Sequence, residues 1–248
     1  WATQQGRQDA MAVLIQEVAG KQHGDFYYPA ISGVAQSHNY YPVMGMRAED
    51  GIVHIALGIG KTVVEGEKSL RFSPAQPKRL VQFSMVDDIL ANCQRQFYSL
   101  DMTRSEHLVR EGSNLVRREV QDAEAEAPVL ALASTYVADE HRIRDVALPG
   151  LKVLTFAQIL KYDLYPLPKI ISTLLALGRE GMGCEIEMEF AVCLDPDPAR
   201  SVFYFLQLRP MVSGEERFDV NICDRERSQA VCCSSKSLGH GRFDEMAD

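Results

Sequence analysis

The sequence predicts an α+β fold with a mixed or antiparallel sheet flanked by helices, and three segments carry most of that prediction. Residues 184–192 (CEIEMEFAV) alternate polar and apolar side chains, and residues 201–210 (SVFYFLQLRP) follow as a second strand pattern, so an antiparallel hairpin is expected. Residues 167–178 place apolar side chains at helical spacing, with Gly178 as the expected helix end. Strands and helices are mixed without a regular βαβ series, which favours α+β.

The amino-terminal part contains three further apolar segments. Residues 10–19 are predicted to form either a buried strand or a short helix, because periodicity cannot separate the two over so short a run. Residues 31–39 and 51–60 are predicted strands, the second ending in a glycine turn, and residues 61–66 are predicted to form a short helix closed by its last glycine. Residues 20–29 are predicted to form a loop.

The middle of the chain gives weaker patterns. Residues 86–97 are predicted to form a helix and residues 114–120 a strand. Residues 122–128 are acidic, which is typical of a solvated turn or of a helix start. Residues 130–146 are predicted to hold two short strands, and residues 155–163 a helix capped by the threonine at its start.

The composition is that of an ordinary globular domain, because 46% of the 248 residues are hydrophobic and 24% are charged. The net charge of −8 argues against a nucleic-acid surface, and no apolar run is long enough to span a membrane. No secretory signal is visible, and a cytoplasmic protein is expected. Since the sequence begins with Trp1 rather than Met, it is expected to be a piece of a longer chain.

The six cysteines include no CxxC pair, and Cys184 and Cys193 bracket a predicted strand, where small buried thiols are common. Reduced thiols are therefore expected rather than a disulfide framework. A zinc site is the alternative, although its spacings match no familiar zinc motif. Its ligands would be Cys223, Cys232, Cys233 and His240.

The predicted hairpin carries the residues that point to chemistry. Gln207 and Arg209 lie two residues apart on a strand and therefore on one face, and so do Glu187 and Glu189 on the preceding strand. If the two faces coincide, carboxylate and amide oxygens suited to Mg²⁺ lie beside a guanidinium suited to phosphate oxygens. This combination predicts a magnesium-nucleotide site on a sheet. The alternative is an acidic strand face that is only solvated, with the Gln-x-Arg sequence closing a strand.

Four motifs, in order along the chain, resemble those of the nucleotide-binding domain of the phosphoenolpyruvate synthase and pyruvate phosphate dikinase family. Where that family has G-V-x-F-[ST] and G-L-G-E-x-V-V-x-G, this chain has GVAQS (33–37) and GIGKTVVEG (58–66). Where it has D-I-E-W-A and Q-x-R-P, this chain has EMEFA (187–191) and QLRP (207–210). The resemblance implies an ATP-grasp fold.

The resemblance also implies ATP and Mg²⁺ as ligands and assigns roles to four residues. Glu189 would hold Mg²⁺ with Gln207 assisting, while Gln207 and Arg209 would contact the nucleotide. Glu187 stands where the family has Asp and joins the ATP-binding set. No residue of this chain is given a catalytic role, because the family passes the phosphoryl group to a histidine on another domain and from there to pyruvate or a similar acceptor.

The same resemblance predicts the domain organisation. Residues 1–211 are expected to be the carboxyl-terminal part of an ATP-grasp-like region, matching clearly over residues 10–66 and 166–211 and poorly over residues 67–165. Residues 212–248 would be a tail or the start of a following region. The remaining domains of an ATP-dependent phosphotransferase would lie elsewhere in the parent chain, so this piece alone is expected to be inactive. Whether it forms a homo-oligomer stays open.

Two departures from the family pattern support a second hypothesis. Lys61 stands where the family has Glu, and Gln36 replaces an aromatic residue. A non-catalytic ATP-binding regulatory or interaction module is therefore the alternative to the enzyme part, followed by a scaffold that binds no nucleotide. Among the histidines, His54 lies in an apolar strand pattern and is expected to be a core residue.

Overall fold

The computed structural model describes residues 13, 15–43, 45–103, 114–146 and 148–211. The strands of this part are β1 (Lys21–His23), β2 (Phe26–Tyr28), β3 (Ile31–Gln36), β4 (Ile52–Ala56), β5 (Leu70–Phe72), β6 (Gln96–Asp101), β7 (Leu115–Glu119), β8 (Ala133–Val137), β9 (Arg142–Arg144), β10 (Leu151–Leu154), β11 (Ile186–Cys193) and β12 (Val202–Pro210). Its α-helices are α1 (Lys61–Val64), α2 (Val86–Asn92), α3 (Ala127–Leu132), α4 (Ala157–Leu160) and α5 (Leu167–Met182).

The strands form three sheets in which neighbours run antiparallel. The largest has five strands in the order β12-β11-β3-β4-β5, a second has the order β1-β2-β6-β7, and a third has the order β10-β8-β9. Helices lie between the strands along the chain without a βαβ series. The α+β prediction is confirmed, and the arrangement agrees with an ATP-grasp-like fold.

Helix α5 covers one face of the five-stranded sheet. Its apolar stripe includes Ile171, which belongs to the same buried core as Ile186 and Met188 of β11. Alternation along β11 sends Glu187 and Glu189 to the opposite face. The hydrophobic core therefore lies on one side of the sheet and leaves polar side chains on the other.

Helix α5 runs past Gly178, so the prediction that it ends at that glycine is wrong. The helix continues to Met182 and is closed by Gly183, whose φ of 66° is easily reached only without a Cβ. Gly178 lies where the helix meets the sheet, since a Cβ there would come within 2.7 Å of Ile186 Cδ1. Gly178 therefore serves the close approach of helix and strand.

Residues 20–29, predicted to form a loop, contain the short hairpin of β1 and β2, so that prediction is also wrong. Gly24 takes a φ of 59° at the hairpin turn, and Tyr28 is fully buried. The run is too short for its alternation to be recognised in sequence. Its pairing is supported from outside, because β2 also pairs with β6.

The predicted helix at residues 86–97 is confirmed only as far as Asn92, where α2 ends. Strand β6 begins at Gln96, and its alternate side chains Phe97 and Ser99 are fully buried. Residues 96–97 therefore belong to a strand and not to the helix. Burial of alternate side chains on one face of the four-stranded sheet favours the strand here.

The other predicted elements of the described residues are present: β3, β4, α1, β7, β8 with β9, a shorter α4, and the hairpin of β11 and β12. The residue before α4 is Phe156, in the left-handed region at φ 54°, so the prediction that Thr155 is the helix cap is wrong. Thr155 Oγ1 nevertheless accepts a hydrogen bond from the N–H of Ala157 (3.3 Å). The acidic stretch 122–128 contains a turn and the start of α3. Of the segment 10–19, Val13 and residues 15–19 lie in no helix or strand, and the remainder lies outside the described residues.

Cys93, Cys184 and Cys193 are free thiols in the described part of the chain. The alternative zinc ligands, all between residues 223 and 240, lie outside it. A helix long and apolar enough to cross a membrane does not occur among the described residues.

Gly33→Ala is expected to lower the free energy of unfolding by about 1–3 kcal/mol, the usual cost of overpacking a filled core. A Cβ at residue 33 would lie 2.5 Å from Phe190 Cζ and 2.7 Å from the carbonyl oxygen of His54, and a backbone oxygen within a sheet cannot move aside. Urea denaturation followed by circular dichroism measures the change.

Gly181→Ala in α5 is the matched control for that substitution. Nothing lies within 4 Å of a Cβ at residue 181, and alanine has the higher helix propensity. The free energy of unfolding should therefore stay unchanged or rise by up to about 1 kcal/mol. A Gly33→Ala protein as stable as the wild type would contradict the close approach of β3, β4 and β11.

Candidate functional site

The face of the five-stranded sheet opposite α5 brings together the four residues predicted to bind a magnesium nucleotide. Strand β11 pairs with β12 so that Glu187 lies opposite Arg209, and Glu189 lies opposite Gln207. The two polar strand faces therefore coincide, which was the condition of the sequence prediction. We call this surface the open face; it comprises Val34, Gln36, His54, Arg71, Glu187, Glu189, Gln207 and Arg209.

Glu187 is held between its two neighbours across the sheet. Its Oε2 accepts a hydrogen bond from Gln36 Nε2 (2.7 Å), and its Oε1 accepts one from Arg209 Nε (2.8 Å) and a second from Arg209 Nη2. The Glu187 side chain is 14% exposed and that of Arg209 is 54% exposed. Hydrogen bonding to the Glu187 carboxylate raises the pKa of Arg209. Glu187 is therefore neutralised, and its main effect is to orient the guanidinium.

Glu189 and Gln207 lie opposite each other one step further along the two strands. Among the described residues, neither side chain makes a hydrogen bond or an ion pair, and Glu189 interacts with Arg209 only through charge. Both side chains therefore offer hard oxygen atoms to a ligand. The described part of the chain holds no group of three or more His, Cys, Asp or Glu side chains that could bind a metal alone. The pair fits Mg²⁺, which usually takes one or two protein ligands and completes its shell with phosphate oxygens and water.

A β-bulge in β12 makes this arrangement possible. Between Glu189 and Phe190 the pairing partner changes from Gln207 to Phe205, which leaves Leu206 as an extra residue. Without the bulge, Phe203 and Gln207 would share one face, because they are four residues apart. With the bulge, Phe203 stacks on Phe190 of the core at a centroid distance of 5.3 Å, while Gln207 lies on the open face.

A cavity of about 390 Å³ adjoins Glu189 and Gln207. Its apolar walls include Val34 of β3 and Val63 of α1, and residues 16–19 close it on another side. This volume lies in the range of small-molecule sites, which combine apolar walls with a few polar groups. The cavity can therefore receive the apolar or aromatic part of a ligand whose charged part lies near Glu189.

Lys61, the departure at the glycine turn, does not line this cavity. Its Nζ lies 3.4 Å from Glu65 Oε1 and 5.1 Å from the centroid of the Tyr98 ring. Lys61 is therefore accommodated at the start of α1 by a carboxylate one turn on and by an aromatic face of β6. The reversed charge is satisfied locally and leaves the polar groups of the open face unaltered.

His54, expected to be a core residue, lies on the open face instead, so that expectation is wrong. It sits between Val34 of β3 and Arg71 of β5, and its side chain is half-buried. Burial lowers the pKa of His54, the nearby Arg71 lowers it further, and Glu187 acts in the opposite direction. The alternation of β4, in which Val53 and Ile55 are fully buried, was the signal that places His54 on the other face.

Sequence reasoning missed two contributors to the site. Gln36 was read only as a departure from an aromatic residue, yet its amide holds Glu187. Residues 16–19 were read as part of a strand or helix, yet they lie in neither and line the cavity. No local pattern predicts either contact, because both depend on how distant segments meet.

Comparison with models of known protein families gives a match over most of the chain. The family model described as the AMP/ATP-binding domain of pyruvate phosphate dikinase matches residues 3–230, which is most of the chain. No curated protein matches the sequence.

Stability should fall as the pH drops below 6.5, in part because of His54. Its pKa in the folded protein is lowered from the ordinary value of 6.5, so the unfolded chain binds the proton first. The stabilisation is complete above pH 6.5 and is lost as the pH falls toward the folded pKa. Burial lowers the pKa of His23 as well, which adds an effect of the same sign.

Urea denaturation at several pH values, compared between wild type and His54→Gln, measures this contribution. The variant should lose less stability than the wild type over that interval, and the remaining slope belongs to His23 and other groups. Above pH 7 the difference between the two proteins should be constant, which serves as the control. Identical slopes at lower pH would contradict a lowered pKa for His54.

Proposed function

This chain belongs to the family of pyruvate phosphate dikinase AMP/ATP-binding domains, and from that premise we propose that it forms the Mg·ATP-binding part of an ATP-dependent phosphotransferase. The parent protein would pass the phosphoryl group through a phosphohistidine on another domain to pyruvate or a similar acceptor. The observation that carries the proposal is the register of β11 and β12, which sets one unpartnered carboxylate and amide beside an oriented guanidinium.

Four residues of the open face have a proposed task. Glu189 and the amide oxygen of Gln207 would hold Mg²⁺, since both oxygens are free among the described residues. Mg²⁺, when bound, would neutralise charge on the phosphate oxygens during transfer. Arg209 would contact the same phosphates with the part of its guanidinium that Glu187 leaves exposed.

Glu187 would act by positioning Arg209 rather than by contacting the metal. Both of its oxygens already accept hydrogen bonds, from Gln36 on one side and Arg209 on the other. A carboxylate with both oxygens engaged is a weak competitor for a cation. The base and ribose of the nucleotide would enter the 390 Å³ cavity beside Glu189, where apolar side chains predominate near Val34 and Val63.

The second candidate is a non-catalytic ATP-binding regulatory or interaction module. The observation that favours it is Lys61, whose ammonium is directed to Glu65 and Tyr98 where the resembling family carries a carboxylate. Loss of that carboxylate would leave nucleotide binding intact and reduce turnover. Both candidates therefore predict that ATP binds, and only the phosphotransferase predicts that ATP is turned over.

AMP release from Mg·ATP by the intact protein, with and without pyruvate, is the first test of the function. AMP that forms only with pyruvate is expected for the proposed phosphotransferase, and Glu189→Gln should reduce its rate by at least about a hundredfold, as removal of a charge-stabilising group typically does. Glu180→Gln, on the exposed side of α5, is the matched control and should leave the rate unchanged. ATP binding without AMP in either condition would favour the regulatory module, and absence of binding would overturn both.

Arg209→Ala is expected to weaken ATP binding by about 1.5–3 kcal/mol, the usual worth of a charge-assisted contact. Glu187→Gln should weaken it less, because the guanidinium remains. Isothermal titration calorimetry with Mg·ATP on both variants measures the two losses. Equal losses would mean that Arg209 acts only as the partner of Glu187, and unchanged affinity in both would remove Arg209 from the site.

A further inference from the structure

A second cavity, of about 470 Å³, lies at the β5 end of the open face. Tyr41 and Val43 form one wall, Ile52 lies on β4, and Arg71 and Arg79 contribute the charge. We propose that this cavity binds an organic oxyanion, meaning a phosphate or carboxylate group on an apolar body, at a site separate from that of the nucleotide. This inference goes beyond the proposed function and does not depend on it.

The charge of the cavity is the first argument. Its described lining contains two guanidinium groups and no carboxylate. Neither Arg71 nor Arg79 forms an ion pair with a described residue, whereas Arg118, Arg144 and Arg209 each do. In a protein with a net charge of −8, two unneutralised guanidinium groups in one cavity attract an anion, and their planar forks suit carboxylate and phosphate oxygens.

The guanidinium of Arg79 is held in place by the surrounding loop. Gly45 has a φ of 83°, and a Cβ there would lie 2.5 Å from Arg79 Nη1. Gln76 joins the two segments, since its Nε2 donates to the Gly45 carbonyl oxygen (2.9 Å) and its Oε1 accepts from Arg79 Nη1 (3.5 Å). The Arg79 side chain therefore lies against a glycine that leaves room for it.

The position of Arg71 is fixed by the sheet. Its backbone N–H donates to Gln82 Oε1 (2.7 Å), and its register places it beside His54 on the open face. The effect of Arg71 on the pKa of His54 agrees with a guanidinium directed along this face. The two cations thus come from different segments: the backbone of Arg71 is held by the sheet and by Gln82, and the guanidinium of Arg79 contacts Gln76. Both residues are exposed, so an anion can reach them from solvent.

The rest of the lining favours a ligand with an apolar body. Tyr41 is 62% exposed and Val43 is 37% exposed, although both line the cavity. Met46, Ile52 and Phe72 add apolar surface. A bare inorganic ion would leave most of the 470 Å³ filled with water, whereas an aromatic or aliphatic group would cover these side chains.

The site is separate from the metal and nucleotide centre. Glu189, Val34, His54 and Arg71 follow one another across β11, β3, β4 and β5. Three strand spacings of about 4.8 Å put Arg71 roughly 14 Å from Glu189. One ligand oxygen therefore cannot contact both residues, and the half-buried imidazole of His54 stands between them.

The test is a calorimetric titration of the 248-residue chain with phenyl phosphate, benzoate and inorganic phosphate, each with and without saturating Mg·ATP. Saturable binding is expected for phenyl phosphate or benzoate, tighter than for inorganic phosphate, and the better ligand identifies the anionic group. Arg71→Gln and Arg79→Gln should each weaken this binding by at least about tenfold, which is the smallest loss usual for a hydrogen bond to a charged group.

Arg144→Gln is the matched control, because Arg144 is an exposed arginine of β9 already paired with Glu140. It should leave binding unchanged, and circular dichroism should show that all three variants are folded. Displacement of the ligand by Mg·ATP would overturn the separate site. So would an equal affinity for inorganic phosphate, an absence of saturable binding, or binding that survives both arginine substitutions.

Discussion

Antiparallel pairing of β11 with β12 decides what the open face can bind. A shift by a single residue would exchange the faces of one strand and send Gln207 and Arg209 toward α5, away from Glu187 and Glu189. The apolar side of β12 resists that shift, because Leu208 and Phe203 pack against the buried core. The bulge at Leu206 adds the second constraint, since it allows β12 to direct Phe203 to the core and Gln207 to the open face. The polar site is thus fixed by the hydrophobic side of the same two strands.

The two glutamates of β11 differ because of what lies beside them, although they are two residues apart on the same face. Gln36 and Arg209 flank Glu187 and use both of its oxygens. Glu189 lies opposite Gln207 on one side and beside Val34 on the other, and neither gives it a positive partner. The negative charge of the open face is therefore concentrated at Glu189. Of the two carboxylates on this strand face, only that of Glu189 is without a hydrogen-bonding partner among the described residues.

The sequence was sufficient to predict the hairpin, the common face of Glu187 with Glu189, that of Gln207 with Arg209, and the strands β3 and β4, because those depend on alternation and spacing within a segment. That the two polar faces coincide follows only from the register of β11 and β12. It was not sufficient for the bulge, which appears only when Phe205 and Gln207 are matched to β11. Gly178 was misread because a glycine that permits close approach looks the same in sequence as one that ends a helix. Gln36 was misjudged for a related reason, since its partner Glu187 lies on a strand distant in the chain. His54 was misjudged although the alternation of β4 within its own segment indicated the open face. Propensity describes a segment, whereas a site depends on which segments become neighbours.

The open face combines an acidic centre at Glu189 with a basic one at Arg71 and Arg79, and their separation limits how strongly they interact. At physiological ionic strength the screening length is about 8 Å, shorter than the roughly 14 Å between Glu189 and Arg71. The lowered pKa of His54 keeps the imidazole between them neutral near pH 7, so it adds no charge to either centre. Two anionic ligands, one held through a metal and one through guanidinium groups, would therefore bind the same sheet with little direct repulsion. Any direct electrostatic coupling between the two ligands would weaken further as the salt concentration rises, because added salt shortens the screening length.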